Sequence, residues 1–181
     1  MVDDRAAMDI AQLIAEHHQV VYRYAYRLTG SVQDAEDLTQ QVFLTAQQKS
    51  GQVRQQESVR GWLFAILRNY FLKSCQKRRP MSAGSLSLNI DAIPAPIPNE
   101  GAVDQERLQA ALNELPPKYR LVLTMFYFED ASYRDIADQL ELPIGTVMSR
   151  LARAKAYLRN ELFARGEPNA ADPQGTASRG G

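Results

Sequence analysis

Ser132 to Arg159, SYRDIADQLELPIGTVMSRLARAKAYLR, is the stretch whose reading decides the fold. It divides into two helices with a tight break between them. Ser132 is a good N-cap, and Asp135 stands at the third helical position, where a carboxylate can reach back to the cap. Tyr133, Ile136, Ala137 and Leu140 recur at helical spacing and predict one apolar face. Glu141-Leu142-Pro143 interrupts the pattern, because proline has no N–H for the ladder and disfavours helix in the residue before it. A second helix is expected from about Ile144. Val147, Leu151, Ala154 and Leu158 fall on one stripe of it, and Ser149, Ala152, Arg153 and Ala156 fall opposite, led by Gly145. Arg150, Lys155 and Arg159 flank or extend that outer face, and residues 144–160 contain no acidic side chain. A narrow, basic, small-residue helix after a short turn suits a DNA major groove, which admits it, attracts it to phosphates and lets a few side chains reach base edges. A helical hairpin with a solvated basic face would carry the same pattern, so the rest of the chain must decide.

The 181 residues include 21 basic and 21 acidic side chains, and the overall balance selects no partner. The distribution does. Arg54, Arg60, Arg68, Lys73, Lys77, Arg78 and Arg79 face only Glu57 between residues 53 and 79, whereas acids exceed bases between Asp3 and Asp37. The single Cys75 excludes an internal disulfide and any multi-cysteine metal site. His17 and His18, the only histidines, are neighbours that diverge on a helix, so no metal or cofactor is expected. No apolar run is long enough to span a bilayer and the acidic N-terminus does not resemble a signal peptide, so a cytoplasmic protein without membrane insertion is expected.

From the start, residues 1–8 read as frayed. Ile10, Leu13, Ile14, His17, Val21, Tyr24, Ala25 and Leu28 predict a helix that Thr29-Gly30 ends. A second helix opens at Ser31, with Asp34, Glu36 and Asp37 in its first turn, where negative charge suits the dipole. Ala35, Leu38, Val42 and Ala46 form its buried stripe, while Asp37, Gln41 and Leu44 share a mixed face that is either solvated or a docking surface. Residues 47–57 read as a loop. A third helix runs from about Ser58 to Lys77, with Val59, Leu63, Ile66, Leu67 and Tyr70 on its core side. Trp62, Phe64, Arg68, Asn69, Phe71 and Lys73 interleave rings with cations, as a single-strand binder does, and Trp62 and Phe64 read equally well as core.

Residues 81–103 hold Pro94, Pro96 and Pro98, several serines and no lysine or arginine, the composition of a flexible linker. A second helical domain begins near Asp104. Leu108, Ala111 and Leu112 mark a short helix, and Leu115-Pro116-Pro117 ends it and starts another, carrying Tyr119, Val122, Leu123 and Phe126. The residues from Gly166 onward have almost nothing to bury and read as a disordered tail. The fold class is therefore all-α: two small helical domains joined by a flexible linker, the C-terminal one a four-helix domain with a helix-turn-helix.

Three stretches in order, DAEDLTQQVF (Asp34–Phe43), RGWLFAILRNYF (Arg60–Phe71) and LPPKYRLVLTMFYFEDASYRDIADQLELPIGTVMSRLARAK (Leu115–Lys155), resemble bacterial sigma factors of the sigma-70 family. The short two-domain layout resembles the extracytoplasmic-function group, and the resemblance spans about residues 8 to 165. It implies that residues 8–80 are sigma region 2, which binds the polymerase clamp and recognises and melts the −10 element. It implies that 81–103 is the linker, that 104–165 is region 4, which reads the −35 element, and that 166–181 is the tail. Asp34, Asp37, Gln40, Gln41 and Phe43 are then assigned to the polymerase interface or its support. Arg54, Trp62, Arg68, Asn69, Lys73, Lys77 and Arg78 are assigned to −10 DNA, together with the loop from Lys49. Met148, Ser149, Ala152 and Arg153 are assigned to −35 bases, and Tyr133, Thr146 and Arg150 to phosphates. Gln41, Met148 and Leu72-Lys73 depart from the family's commoner residues.

The function implied is promoter recognition for core RNA polymerase, contacted at clamp and flap, by a protein that is a monomer when free. An anti-sigma factor is a further partner expected at family level. A stand-alone helix-turn-helix regulator with an N-terminal sensing or dimerisation module accounts for residues 132–159 but not for the aromatic and basic helix. An enzyme lacks any Ser/His/Asp or Cys/His set, phosphate loop or metal cluster in the sequence.

Overall fold

In the computed structural model, residues 10–49, 59–77 and 104–164 are described. They form seven α-helices and a closing π-helical turn, and no strand occurs among them. The linker, the tail, the N-terminal residues 1–9 and the loop with Arg54 fall outside the described residues, as does Arg78.

Helix α1 (Ile10–Thr29) buries Leu13, Val21, Tyr24, Ala25 and Leu28, most of the stripe expected from its spacing. Ile14 stands outside that stripe and is exposed. Gly30 ends the helix at φ +70, a left-handed conformation that costs glycine little, and its N–H donates to the Tyr26 carbonyl at 2.8 Å. Helix α2 (Val32–Lys49) is capped by Ser31, whose Oγ accepts from the Asp34 N–H at 3.3 Å. It buries Ala35, Leu38, Val42, Phe43 and Ala46. Helix α3 (Val59–Lys77) resolves the two readings of its rings: Phe64 is buried core, while Trp62 is half-buried at the edge. Tyr70 is only partly buried, and its hydroxyl meets Thr45 Oγ1 at 2.8 Å, tying α3 to α2.

The C-terminal half begins with α4 (Gln105–Glu114), whose cap Asp104 accepts from the Glu106 N–H at 2.9 Å. Helix α5 (Pro117–Phe128) starts on a proline at its first position, as the sequence predicts. It supplies Val122, Leu123 and Met125 to the core. Helix α6 (Tyr133–Leu140) opens with a complete capping box. Ser132 Oγ accepts from the Asp135 N–H at 3.1 Å, and Asp135 returns the bond to the Ser132 N–H at 3.0 Å. These bonds hold the Asp135 carboxyl below its ordinary pKa. Ser132→Ala is expected to lower the unfolding free energy by about 1 kcal/mol in a urea titration at neutral pH. The box adds stability above the ordinary carboxylate range and loses it as pH falls through the lowered pKa, so the deficit should shrink in acid.

The break before α7 (Ile144–Arg159) differs from its expected cause. Pro143 does not end α6; Glu141 does, at φ 53, with its N–H on Asp138 O and the Leu142 N–H on Ala137 O at 2.9 Å. That bond pair is a Schellman turn built on a glutamate, and Pro143 then caps α7. Tyr133 also departs from its expected apolar face: it is exposed and stacks on Phe126, ring centroids 5.6 Å apart. Val147, Leu151, Ala154 and Leu158 are buried as a stripe, as read from the sequence. The chain then widens into the π-helical turn Asn160–Ala164, where Leu162 O accepts from Arg107 Nη2 of α4 at 3.2 Å.

The two halves dock through α1, α3, α4 and α5, a packing that no periodicity announces. Phe128 stacks on Tyr24 at 5.8 Å. Arg27 donates to Gln109 Oε1 at 2.9 Å and also to Gln105. Arg120 Nη1 reaches Leu28 O at 2.7 Å, while its Nη2 serves Asn113 O and Leu115 O, each at 3.1 Å. One guanidinium thus satisfies the carbonyl ends of α1 and α4, where a cation also suits the dipoles. Gly30 faces Asn113 so closely that an added Cβ would lie 1.9 Å from its Oδ1.

Candidate nucleic-acid interface

The outer face of α7 follows from its buried stripe. With Val147, Leu151, Ala154 and Leu158 turned inward, Met148 and Ser149 are exposed, and Thr146, Arg150, Ala152 and Arg153 are half-buried. Met148 is 51% exposed and Ile144, which sequence reasoning passed over, is 47% exposed. Ser149 Oγ donates to Thr146 O at 3.0 Å, which holds the hydroxyl to its own helix until a partner competes for it. Arg153 leans toward Tyr119, with Nη1 3.4 Å from the phenol oxygen. Lys155 does not join the outer face: its ammonium lies 4.2 Å from the Phe126 ring centroid and 5.4 Å from that of Tyr127. Burial pushes its pKa down, and burial likewise pushes the Tyr127 hydroxyl up. Tyr133 stands beside this cluster. The arrangement is a small, cationic helix face, open at Met148 and Ser149, of a width that fits a major groove.

Helix α3 carries a different surface. Asn69, Lys73 and Lys77 are exposed, and the Lys73 ammonium sits 5.9 Å from the Tyr70 ring centroid. Trp62 lies beside Gly61, Ala65 and Arg68 in a shallow groove whose far wall is Glu129 and Gln139 of the C-terminal half. Arg68 is only 6% exposed. Its Nη1 donates to both Glu129 carboxylate oxygens at 2.6 Å, and its Nη2 donates to Gln139 Oε1 at 2.5 Å. Tyr24 Oη donates to the same carboxylate at 2.5 Å, and burial, followed by Glu129, drives that phenol's pKa well up. Neither Glu129 nor Gln139 had a signal in the sequence beyond being polar residues at the end of an apolar helix and on a solvated one.

On α2, Asp37, Gln40 and Gln41 are exposed and Asp34 is half-buried, whereas Phe43 is buried and stacks on His18 at 6.0 Å. Phe43 therefore supports the surface from beneath. Val32 and Leu44, 55% and 51% exposed, are the apolar side chains that α2 presents. Leu44 shares the mixed face already noted, and Val32 was missed because it stands in the first turn, outside any stripe. Gln40 and Glu36 line a shallow groove with His18 and Tyr22 of α1. Among the described residues no group of His, Cys, Asp and Glu is placed to hold a metal ion, and no helix is long and apolar enough to cross a membrane.

Comparison with known proteins follows the same division. Residues 13–80 match the family model for sigma-70 region 2, and residues 105–158 match that for sigma-70 region 4. The chain is 38% identical over 165 residues to the ECF RNA polymerase sigma factor SigE of Mycolicibacterium smegmatis, covering 88% of this chain and 64% of that protein. About a third of that relative's length has no counterpart in the alignment. Against the ECF RNA polymerase sigma factor SigL of Mycobacterium tuberculosis the identity is 33% over 167 residues, covering 87% of this chain and 93% of that one. The fold is similar to that of the sigma factor RpoE of Bartonella quintana, solved in complex with the anti-sigma factor NepR. The TM-score is 0.64 and the identity 26%, over 85% of this chain and 96% of that one.

Proposed function

This chain belongs to the extracytoplasmic-function sigma factors of the sigma-70 family, and we propose that it binds core RNA polymerase and directs it to promoters, reading −35 duplex DNA and melting the −10 element. The observation that supports this reading is the presence on one chain, in order, of two separate basic surfaces: that of α3, with Trp62, Asn69, Lys73 and Lys77, and the small, cationic face of α7. An operator-binding regulator needs only the second. We assign the protein no catalysis, a cytoplasmic location, a monomeric free state, and an anti-sigma factor among its partners.

In this reading Asp34, Asp37, Gln40 and Gln41 meet the clamp, with Phe43 as their support and Val32 and Leu44 as apolar contacts. Trp62, Arg68, Asn69, Lys73 and Lys77, with Arg54 and Arg78, hold the single-stranded −10 region. Extruding a base costs a few kcal/mol, and stacking it on a ring returns roughly 1–3 kcal/mol. The α7 side chains Met148, Ser149, Ala152 and Arg153 meet −35 bases, and Tyr133, Thr146 and Arg150 meet phosphates. Each contact is modest, and both are joined through one polymerase, so effective concentration makes the pair sufficient.

The deciding experiment is transcription with purified core enzyme on a randomised promoter library. Initiation at promoters with two spaced elements is expected, and failure of the protein to bind core enzyme at micromolar concentration would sink the reading. A finer prediction divides α7. Arg150→Ala should weaken binding to all sequences and reduce the salt slope by about 1, while Arg153→Ala should relax specificity at one −35 position. Titrations at several salt concentrations on matched and mismatched duplexes check this, and identical behaviour of the two variants would refute the division.

A further inference from the structure

We propose that Glu129 is an internal latch that holds Arg68 away from nucleic acid, so that the free protein keeps the Arg68 part of its −10 face closed until the halves separate. The proposal rests on the assignment of Arg68 and Trp62 to single-stranded DNA. Its geometry is independent of that assignment. Arg68 spends its planar donor fork on both oxygens of Glu129 and on Gln139, with Tyr24 bonded to the same carboxylate. Arg60 of the same helix donates to Phe128 O at 3.0 Å, one residue before Glu129 in the chain. Gly61, Trp62 and Ala65 line the shallow groove that this contact borders. A guanidinium fork matches a carboxylate or a phosphate, and one fork cannot serve both. Arg68 is therefore a latch or a DNA ligand, and never the two together.

The ion pair is also of a kind that can release. Both side chains are nearly dry, 7% and 9% exposed, and desolvation of two charges offsets most of their attraction. Removing one charge leaves the other buried and uncompensated, but only in the closed form, because opening returns it to water. Loss of the Glu129 charge should therefore move the population toward separated halves. Since only the open form binds a strand through Arg68, apparent affinity should rise with the open fraction.

The test uses the full chain, a labelled single-stranded DNA of about 15 nucleotides, and small-angle scattering. Glu129→Gln is nearly isosteric and should raise the affinity of the free protein for the strand by about tenfold and enlarge the radius of gyration. Gln139→Ala, at an exposed position, should shift both readouts the same way by less. Asp138→Asn makes the same change in net charge at an exposed position of α6 and should move neither. Arg68→Ala added to Glu129→Gln leaves no unpaired buried charge, so it should erase the gain in affinity and return the molecule to its compact size. A helical Glu129→Gln protein with unchanged size and affinity overturns the latch, as does one that expands without binding DNA more tightly. Wild-type transcription with core enzyme stands apart from these readouts, so loss of the latch and loss of the sigma-factor assignment can be told apart.

Discussion

Phe64→Ala is expected to lower the unfolding free energy by about 3–5 kcal/mol, which for a chain of this size is a fall in Tm of roughly 10 °C. The ring is 1% exposed and sits in the middle of the N-terminal core. Tyr24 meets it edge-to-face with centroids 4.6 Å apart, and the Arg60 guanidinium lies 5.3 Å from its centroid. Truncation removes the buried ring area, the aromatic pair and the cation's seat together. The ring lies against Tyr24 of α1 inside a core whose other members, Leu63 and Leu67 among them, are buried, so collapse into the cavity should be limited. Denaturant unfolding followed by circular dichroism measures the loss. A deficit below about 1 kcal/mol would mean that this core is far more plastic than its burial implies.

Arg120→Met should cost about 3 kcal/mol by the same measurement. Three charge-assisted hydrogen bonds to carbonyls disappear, each worth about 1.5–3 kcal/mol, and Leu28 O, Asn113 O and Leu115 O lose a donor inside the protein. Part is returned because the guanidinium no longer has to be desolvated. That burden is real here: burial lowers the Arg120 pKa, and Nε finds no acceptor among the described residues. Arg120→Lys should recover only a small part, since a compact ammonium cannot span the ends of two helices as a fork does. Equal stability of the lysine variant and wild type would show that charge alone, not the fork, matters at this position.

Much of this was legible because helices write their buried faces into the sequence. The stripe Val147, Leu151, Ala154 and Leu158 and the Ser132–Asp135 box are local patterns, and both are present as read. Phe43 and Lys155 show the limit within an element. Each sits at a position a helical wheel leaves open, and its surroundings, the exposed His18 stacked on Phe43 and the rings of Phe126 and Tyr127 against Lys155, come from other helices. Glu141 was misread for a different reason: a proline two residues on offered a sufficient cause for the break, and a left-handed glutamate has no compositional mark. The docking of the halves was the least legible. Arg68 and Glu129 are 61 residues apart, and a basic residue on an aromatic helix carries the same letters whether its partner is a phosphate or a carboxylate.

The π-helical turn at Asn160–Ala164 has a mechanical consequence. By returning to the first turn of α4 through Arg107 and Leu162, it brings the entrance and the exit of the C-terminal half to one edge. Tension applied at Asp104 or at Ala164 therefore acts on neighbouring points of the half. A tag or reporter joined after Ala164 would start out beside α4 and not across the face of α7.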